Sequence, residues 1–240
     1  MNTLLFDLDD TLYDLDMHRF RHIDSAWQEW LITLPPMMIP YVLQSAVTQR
    51  IFFKDMPGFL GQYGVKEPLV SQLCAQSRAT WFSDLHLDEG VAPLLDTLAT
   101  RYKLGLITNG PSEIQRAKIV QFDLARWFPV IVVSEEFGVA KPDPAIFLHA
   151  ANALGSDPAD CVMIGDNPEA DIRGAQAAGM RNVWIQRPAL YKKPFTREVA
   201  RYPAELPAPW RTIPHVRELL SVLEEKCTLR RYLMRWNLCR

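Results

Sequence analysis

The sequence lacks the features by which secreted and membrane proteins are usually recognised. Its four cysteines, in 240 residues, lie far apart and form neither a CxxC pair nor a zinc-ligand spacing. They predict reduced thiols rather than a disulfide framework. No run of about 18 apolar residues is long enough to span a membrane. Because Asp7, Asp9 and Asp10 interrupt the first apolar stretch too early for a signal peptide, we expect a cytoplasmic location.

An excess of charge of one sign is also absent. The chain has 26 lysines and arginines against 28 aspartates and glutamates, a formal net charge of −2. We therefore expect neither a nucleic acid polymer nor a membrane as a partner. The composition gives no indication of the oligomeric state. What is present is a hydrophobic fraction of 48% with 22% charged residues, which is typical of a globular protein with a sizeable core.

Short apolar runs, each followed by polar or turn residues, recur along the chain. Uninterrupted runs of this length suit strands that are buried on both faces, as in a parallel sheet. Segments long enough for helices lie between the later runs, and this alternation predicts a doubly wound α/β domain. The predicted strands are 3–6, 104–107, 130–133, 162–164 and 183–185, and the predicted helices are 112–122, 143–154 and 170–178.

The region from residue 15 to residue 90 differs from the rest of the chain. It is rich in aromatic residues, has little strand character, and is broken by the Pro35-Pro36 pair and the Pro57-Gly58 turn. This composition predicts a helical cap at 15–90, inserted into an α/β core domain that comprises residues 1–14 and 91–227.

The C-terminal part of the chain is less regular. Residues 188–214 include six prolines and are expected to wrap the surface, before a final short helix at 217–225. Residues 228–240 form a basic tail with four arginines and no acidic residue. Such a tail is typical of a solvated terminus or, alternatively, of a basic helix that binds a partner.

Polar side chains follow the predicted strands where the strands end. Five aspartates lie between Asp7 and Asp16, directly behind the first strand, and Asp166 ends the fourth. In open parallel sheets, ligands bind beyond the carboxyl ends of the strands. The acidic run therefore predicts a functional site rather than an acidic surface turn.

These residues have the composition of a site for a hard cation and a phosphate. Asp7, Asp9 and Asp166 offer carboxylates and a backbone carbonyl, and Mg²⁺ prefers such oxygen ligands. A cation would also neutralise the mutual repulsion of the carboxylates. One free carboxylate could attack phosphorus while a second moves the proton. The donors that could stabilise the phosphoryl group are those of Thr108, Asn109 and Lys141.

Four motifs stand at these strand ends: FDLDDTLYD at Phe6–Asp14, LITNG at Leu106–Gly110, GVAKP at Gly138–Pro142 and IGDNPEAD at Ile164–Asp171. In sequence and order they resemble the four motifs of the haloacid dehalogenase superfamily. The resemblance implies an α/β fold with a Rossmann-like parallel-sheet core and an inserted α-helical cap of the C1 type. It also implies Mg²⁺-dependent hydrolysis of a small-molecule phosphomonoester through an aspartyl-phosphate.

The second half of the chain most resembles the small-molecule phosphatase branch of that superfamily. This branch includes pyrimidine 5′-nucleotidase-like and N-acylneuraminate-9-phosphatase-like members. The resemblance makes a nucleoside 5′-monophosphate a candidate substrate.

Carried over to the matching positions, the resemblance assigns roles to the acidic residues and the lysine. Asp7 would be the nucleophile and a metal ligand. Asp9 would be the general acid/base and would offer its backbone carbonyl to the metal. Lys141 would be catalytic by steadying Asp7 and the phosphate charge, and Asp166 would complete the metal ligands.

The resemblance also implies phosphate-binding and supporting residues. Thr108 would bind a phosphoryl oxygen, with Asn109 supporting that site. Thr11 would stabilise the first loop. Asp171 would orient the lysine or a metal-bound water, although a charge complementing a helix dipole is an alternative interpretation of this residue. Asn167 is a supporting candidate that could equally be an ordinary loop residue.

Two other functions stay open at this point. A phosphomutase or phosphotransferase of the same fold would keep both Asp7 and Asp9, whereas a non-catalytic binding protein of this fold would have lost the nucleophile or the lysine. Dehalogenases of the superfamily lack the second aspartate, so Asp9 favours phosphate chemistry.

The cap is expected to select the substrate, and it has no recognisable signature. The candidates for residues that face the site are His18, Arg21, His22 and Trp81, and the cationic residues that could hold a second phosphate are Arg19, Arg21, Lys54 and Arg78.

Overall fold

The computed structural model describes residues 1–83, 85–193, 196–199 and 201–223. The basic tail predicted at 228–240 lies outside these residues, as do Cys227 and Cys239. Of the helix predicted at 217–225, the described part is a 3-10 turn at Val216–Glu218 followed by helical residues 219–223.

Six parallel strands form the central sheet, in the order β3-β2-β1-β4-β5-β8. The five predicted strands are all present and differ from the prediction by at most two residues at either end. The strands of the sheet are β1 Thr3–Phe6, β2 Lys103–Thr108, β3 Val130–Val133, β4 Cys161–Gly165, β5 Arg181–Ile185 and β8 Arg211–Ile213.

The stretch 188–214 corrects the prediction that it only wraps the surface. It contains an antiparallel pair, β6 Pro188–Lys193 and β7 Thr196–Val199, and then the sixth strand of the main sheet. The six prolines hid these strands, because proline is compatible with an edge strand or a strand end but weakens any strand prediction.

Helices cover both faces of the sheet. Successive residues of β1 point to opposite faces, so Leu4 and Phe6 join one hydrophobic cluster and Leu5 joins another. The first cluster includes residues of α6 and α7, and the second includes residues of α9 and α10. This two-sided burial explains the uninterrupted apolar runs. The helices of this part are α6 Val91–Ala99, α7 Ser112–Gln121, α8 Ser134–Phe137, α9 Pro144–Ala153 and α10 Gly174–Ala177.

Five helices lie between β1 and α6 in the described chain. They pack around their own hydrophobic cluster, in which Trp27 is fully buried and its indole Nε1 donates a hydrogen bond to Ser77 Oγ at 3.0 Å. Most of the aromatic residues of this segment therefore belong to its interior. The five helices are α1 Leu15–Ala26, α2 Gln28–Leu31, α3 Ile39–Thr48, α4 Met56–Gln62 and α5 Leu69–Thr80.

Hydrogen bonds join the two connections between the helical segment and the sheet. The Asp88 carboxylate accepts a hydrogen bond from the Asp14 backbone N–H at 3.0 Å, and the Asp88 N–H donates to the Leu12 carbonyl at 3.1 Å. Arg187, which follows β5, donates to Asp88 Oδ2 at 2.7 Å. The outgoing and returning chains thus run side by side above the sheet. Among the described residues, no helix has both the length and the apolar character needed to cross a bilayer.

Candidate active site

Carboxylates from β1 and β4 meet at the carboxyl edge of the sheet. Ligand oxygens of Asp7, Asp166 and Asp171 all lie within 4.8 Å of one another. Asp7 follows β1 and Asp166 follows β4, its neighbour in the sheet, so the observed strand order brings the two aspartates together. With Lys141 they form what we call the carboxylate–lysine cluster, on a cavity of about 230 Å³.

Lys141 holds two of these carboxylates. Its Nζ donates hydrogen bonds to Asp7 Oδ1 at 2.5 Å, to Asp171 Oδ1 at 2.7 Å and to the Ile107 carbonyl at 2.9 Å. Burial alone would lower the pKa of Lys141, but the charges of Asp171 and Asp7 outweigh burial and the pKa is raised. Lys141 is therefore a fixed cation at the base of the site.

Asp171 is a buried partner of Lys141 rather than a surface charge at a helix end. Only 1% of the residue is exposed, and its Oδ2 accepts the Asn167 N–H at 3.0 Å. A Cβ at Gly165 would lie 2.2 Å from Asp171 Oδ2, so only glycine leaves room for this carboxylate over the strand end. The glycine of the fourth motif is thereby explained by close approach.

Asn109 and Thr108 are placed beside the cluster, at the end of β2. The Asn109 side chain donates to the Lys141 carbonyl at 2.9 Å and accepts the Lys141 N–H at 2.9 Å. Both ends of its amide group are thus engaged with the backbone of Lys141, and Asn109 positions the lysine loop. Thr108 Oγ1 is buried and accepts a hydrogen bond from Gln115 Nε2 at 2.8 Å.

The Asp9 carboxylate accepts hydrogen bonds from side chains of helix α7 and from Tyr13. Lys118 Nζ donates to both oxygens, at 2.7 and 2.9 Å, and Gln115 Nε2 donates to Oδ2 at 2.9 Å. The Tyr13 hydroxyl also donates to Asp9. Burial raises the pKa of Asp9, but the charge of Lys118 and the hydrogen bonds from these three side chains outweigh burial and lower it.

Gln115 and Lys118 were not predicted from the sequence. They lie three residues apart on the face of α7 that is buried, beside Ile119. A buried glutamine and a buried lysine on a helix face that should be apolar are the signal that could have found them.

The acidic cluster carries more negative charge than Lys141 can balance. Burial raises the pKa of Asp7 to about 7; Lys141 opposes this rise, while Asp171 and Asp9 add to it. Burial, together with Asp171, Asp7 and Asp10, raises the pKa of Asp166 well above its ordinary value. Because both oxygens of Asp171 are engaged, Asp7 and Asp166 are the carboxylates that could bind a cation. This set of oxygen donors fits Mg²⁺.

The two remaining supporting candidates, Thr11 and Asn167, differ in their hydrogen bonding. Thr11 is fully buried, and its Oγ1 has no hydrogen-bond partner within the part of the chain that the structure describes. The Asn167 Oδ1 accepts the N–H groups of Glu169 and Ala170 at 3.0 and 2.9 Å, and so caps the π-helical turn Pro168–Arg173. Asn167 is thus a helix-capping residue at the rim of the cavity.

The structure places the candidates from the helical segment away from the carboxylate–lysine cavity. His18, Arg21 and His22 line a separate cavity of about 440 Å³ near Leu85. Trp81 is 1% exposed and packs edge-on against the two histidines. Leu15, His18, Arg19 and His22 follow the i, i+3, i+4, i+7 spacing of one helix face, so α1 borders both cavities. The residues of the segment that line the carboxylate–lysine cavity are Leu15, Arg19 and Arg50.

Strand-end carboxylates with a buried lysine, on a parallel Rossmann-like sheet, are features of a class of α/β hydrolases. Residues 1–179 match the family model described as haloacid dehalogenase-like hydrolase. The chain therefore belongs to the haloacid dehalogenase-like hydrolase family, as its motifs predicted.

The chain is similar to several proteins that are named as phosphatases or nucleotidases. The pyrimidine 5′-nucleotidase YjjG of Escherichia coli is 38% identical over 195 residues, which cover 76% of this chain and 84% of that protein. The N-acylneuraminate-9-phosphatase of Rattus norvegicus is 37% identical, but the match covers only 55% of this chain and 54% of the rat protein. The phosphoserine phosphatase of Thermus thermophilus is 46% identical over 35% of this chain and 34% of its own length.

A solved structure shows the same fold over nearly the whole chain. The 2-haloacid dehalogenase of Pseudomonas syringae superimposes with a TM-score of 0.58 at 27% identity, covering 93% of this chain and 98% of that protein. The predicted α/β fold is confirmed by this likeness and by the observed sheet.

Proposed function

We propose that this protein is a Mg²⁺-dependent phosphatase that hydrolyses the monoester of a small phosphorylated metabolite through an aspartyl-phosphate on Asp7. The observation that supports this most directly is the pairing of two aspartates with separate lysines. Asp7 is held by Lys141 and Asp9 by Lys118. A nucleophile and a proton carrier two residues apart, each with its own fixed cation, suit phosphoryl transfer.

In the first step of this mechanism, Asp7 attacks phosphorus. Its Oδ1 is engaged by Lys141, so Oδ2 would form the new bond to phosphorus while the ester P–O bond breaks. Asp9 would give its proton to the departing oxygen. To do so it must first take up a proton, which weakens its ion pair with Lys118 and frees the carboxyl group to turn.

In the second step, water attacks the aspartyl-phosphate. Asp9, now a carboxylate, accepts the proton of the water, the bond between Asp7 and phosphorus breaks, and inorganic phosphate leaves. The form of Asp9 in the structure, ionised and held by Lys118, is the one that this step requires. Lys141 would hold the charge of the phosphoryl oxygens throughout.

Mg²⁺ would be held by the carboxylates of Asp7 and Asp166 and by the backbone carbonyl of Asp9. When bound, the ion would neutralise charge on the phosphoryl oxygens, so that an anionic nucleophile can approach them. Within this proposal Thr108 binds a phosphoryl oxygen, and Asn109 and Asp171 position Lys141. Thr11 and Asn167 support the two loops.

We further propose that residues 15–90 act as the cap over a core made of residues 1–14 and 91–227. The separate hydrophobic cluster of α1–α5 and the paired connections at Asp14 and Asp88 support this division. The cytoplasmic location stays a prediction. A nucleoside 5′-monophosphate is one candidate substrate, supported by the likeness to the Escherichia coli nucleotidase over 84% of that protein.

The test is phosphate release from a panel of small phosphomonoesters and p-nitrophenyl phosphate, with Mg²⁺ present. Wild-type protein should release inorganic phosphate, and Asp7→Asn should release none while keeping its circular dichroism spectrum, because a carboxamide cannot attack phosphorus. A folded wild type that releases no phosphate from any ester would contradict the proposal and favour a binding protein of this fold. Transfer of phosphate to a sugar phosphate instead of water would favour the mutase alternative.

A further inference from the structure

Two arginines of the helical segment border the cavity of the carboxylate–lysine cluster. Arg19 lies on α1, and Arg50 lies two residues beyond the end of α3. They line this cavity together with Asp7 and Lys141. Neither is needed by the mechanism above, in which Lys141 and Mg²⁺ hold the transferred phosphoryl group.

The guanidinium of Arg19 is largely buried and has N–H donors that make no hydrogen bond to any described residue. Its side chain is 12% exposed, and its Nη1 donates one hydrogen bond to Asp16 Oδ1 at 3.3 Å. The buried Nε has no hydrogen-bond partner among the residues that the structure describes. Since a guanidinium carries five N–H donors and an unmade buried bond is costly, an acceptor is missing at this position.

Arg50 is held at the cavity by an unusual backbone conformation. Its φ of 51° lies in the left-handed region, which few residues other than glycine adopt, and its N–H donates to the Val47 carbonyl at 2.9 Å. This turn directs the chain back after α3 and leaves Arg50 exposed at the cavity wall. Backbone strain of this kind is common at ligand sites.

Arg19 pairs with the Asp16 carboxylate, and the charge of Arg50 also acts on it. Burial raises the pKa of Asp16, and both Arg19 and Arg50 oppose the rise, which shows that both charges act on this one group. Asp16 accepts only one of the hydrogen bonds that Arg19 can donate, so an anion other than the transferred phosphoryl group would find unused donors at this position.

We propose that Arg19 and Arg50 form a subsite for a carboxylate carried by the leaving group of the substrate, so that the enzyme acts on small phosphorylated hydroxy acids. The inference rests on the proposed phosphatase function. A planar guanidinium can bind a carboxylate through a bidentate pair of hydrogen bonds. The cavity of about 230 Å³ suits a leaving group of a few carbons better than a nucleoside.

The experiment compares two esters that differ in one group. 3-Phosphoglycerate and sn-glycerol 3-phosphate have the same phosphorylated carbon chain, but the first ends in a carboxylate and the second in a hydroxymethyl group. Uridine 5′-monophosphate represents the nucleotide alternative, and p-nitrophenyl phosphate reports on the phosphatase chemistry alone. The variants are Arg19→Gln and Arg50→Asn, since asparagine tolerates the left-handed conformation.

A matched control is available within the helical segment. Arg78 lies at the end of α5 over the ring of Phe53, 5.6 Å from its centroid, and does not line the cavity. Arg78→Gln removes the same charge from the same segment. It should leave the ratio between the two esters unchanged.

Wild-type kcat/KM should be at least about tenfold higher for 3-phosphoglycerate than for sn-glycerol 3-phosphate, the size expected for a charged hydrogen-bond pair. Arg19→Gln and Arg50→Asn should each remove most of this ratio and change turnover of p-nitrophenyl phosphate less than threefold. Equal use of the two esters, or higher kcat/KM for uridine 5′-monophosphate, would overturn the subsite while leaving the phosphatase proposal intact.

Failure of the proposed function gives a different result. If no ester is hydrolysed, including p-nitrophenyl phosphate, the phosphatase proposal fails, and calorimetric titration then decides the subsite. Tighter binding of 3-phosphoglycerate than of sn-glycerol 3-phosphate, lost in Arg19→Gln, would support it. Equal affinities would overturn it.

Discussion

Lys118 Nζ donates to both carboxylate oxygens of Asp9, at 2.7 and 2.9 Å. The two residues are 109 positions apart in the sequence, and both side chains are largely buried, with 5% of Lys118 and 24% of Asp9 exposed. This ion pair holds the proposed acid/base in its ionised form in the resting protein. Release and recapture of Asp9 by Lys118 would therefore accompany each catalytic cycle.

If Lys118 acts through Asp9, the loss of kcat caused by replacing Lys118 should not add to the loss caused by replacing Asp9. Lys118→Met is expected to lower kcat by roughly 10²-fold, within the range for a general acid/base, because the carboxylate loses its position. Lys118→Arg should keep more activity, since a guanidinium can also bind both oxygens. The double variant Lys118→Met/Asp9→Asn should be no slower than Asp9→Asn alone. Steady-state kinetics on p-nitrophenyl phosphate measure all four proteins; additive losses would show that Lys118 acts independently.

Magnesium should stabilise the fold as well as support activity. Because a ligand that binds only the native state raises its stability, Mg²⁺ at about 100 times its Kd should raise Tm by about 5 °C. Asp166→Asn should abolish this rise, since it removes a proposed ligand from the cluster. Asp24→Asn, an exposed aspartate of α1, is the control and should respond like wild type. Chelation of the metal by EDTA should abolish activity. A wild-type Tm that does not change when Mg²⁺ is added would contradict the proposed metal site.

Asp171 and Glu169 offer a matched comparison of a buried and an exposed ion pair within one helical turn. Asp171→Asn leaves Lys141 buried with half of its charge partners, so the free energy of unfolding should fall by about 3 kcal/mol. Glu169→Gln breaks an exposed pair with Arg173 and should cost less than about 1 kcal/mol. Urea denaturation measures both. A loss for Asp171→Asn no larger than that for Glu169→Gln would contradict the role of this buried pair.

The Asp88 carboxylate should make stability depend on pH in the acid range. Burial raises its pKa, but hydrogen bonds from His215, Arg187 and the Asp14 N–H outweigh burial and lower it below 3.8. A carboxyl group with a depressed folded-state pKa contributes stability that is complete above its ordinary pKa and disappears as the pH falls through the folded-state value. The stability difference between wild type and Asp88→Asn should therefore stay constant down to about pH 5 and shrink between about pH 5 and about pH 2. A difference that stays constant across this range would contradict the prediction.

Local sequence patterns are sufficient to specify five of the six strands of the sheet and the positions of the four motifs behind them. Residues such as Leu4, Leu5 and Phe6 are buried on both faces, so their apolar run marks a parallel strand wherever it falls. Polar residues directly behind such runs meet at one edge of the sheet because parallel strands end together. The sequence therefore places Asp7 and Asp166 at the same edge of the sheet, and the adjacency of β1 and β4 in the structure brings them together.

The side chains from distant segments that complete the site are selected by tertiary packing instead. Lys118 reaches Asp9 because α7 turns one face towards β1, and Arg19 rather than His18 borders the cavity because of the rotation of α1 about its axis. Neither choice is encoded in a local pattern: a basic side chain on a helix looks the same in sequence whether it meets solvent or a carboxylate. Packing of the helices against the sheet fixes that rotation, and packing is a property of the whole chain.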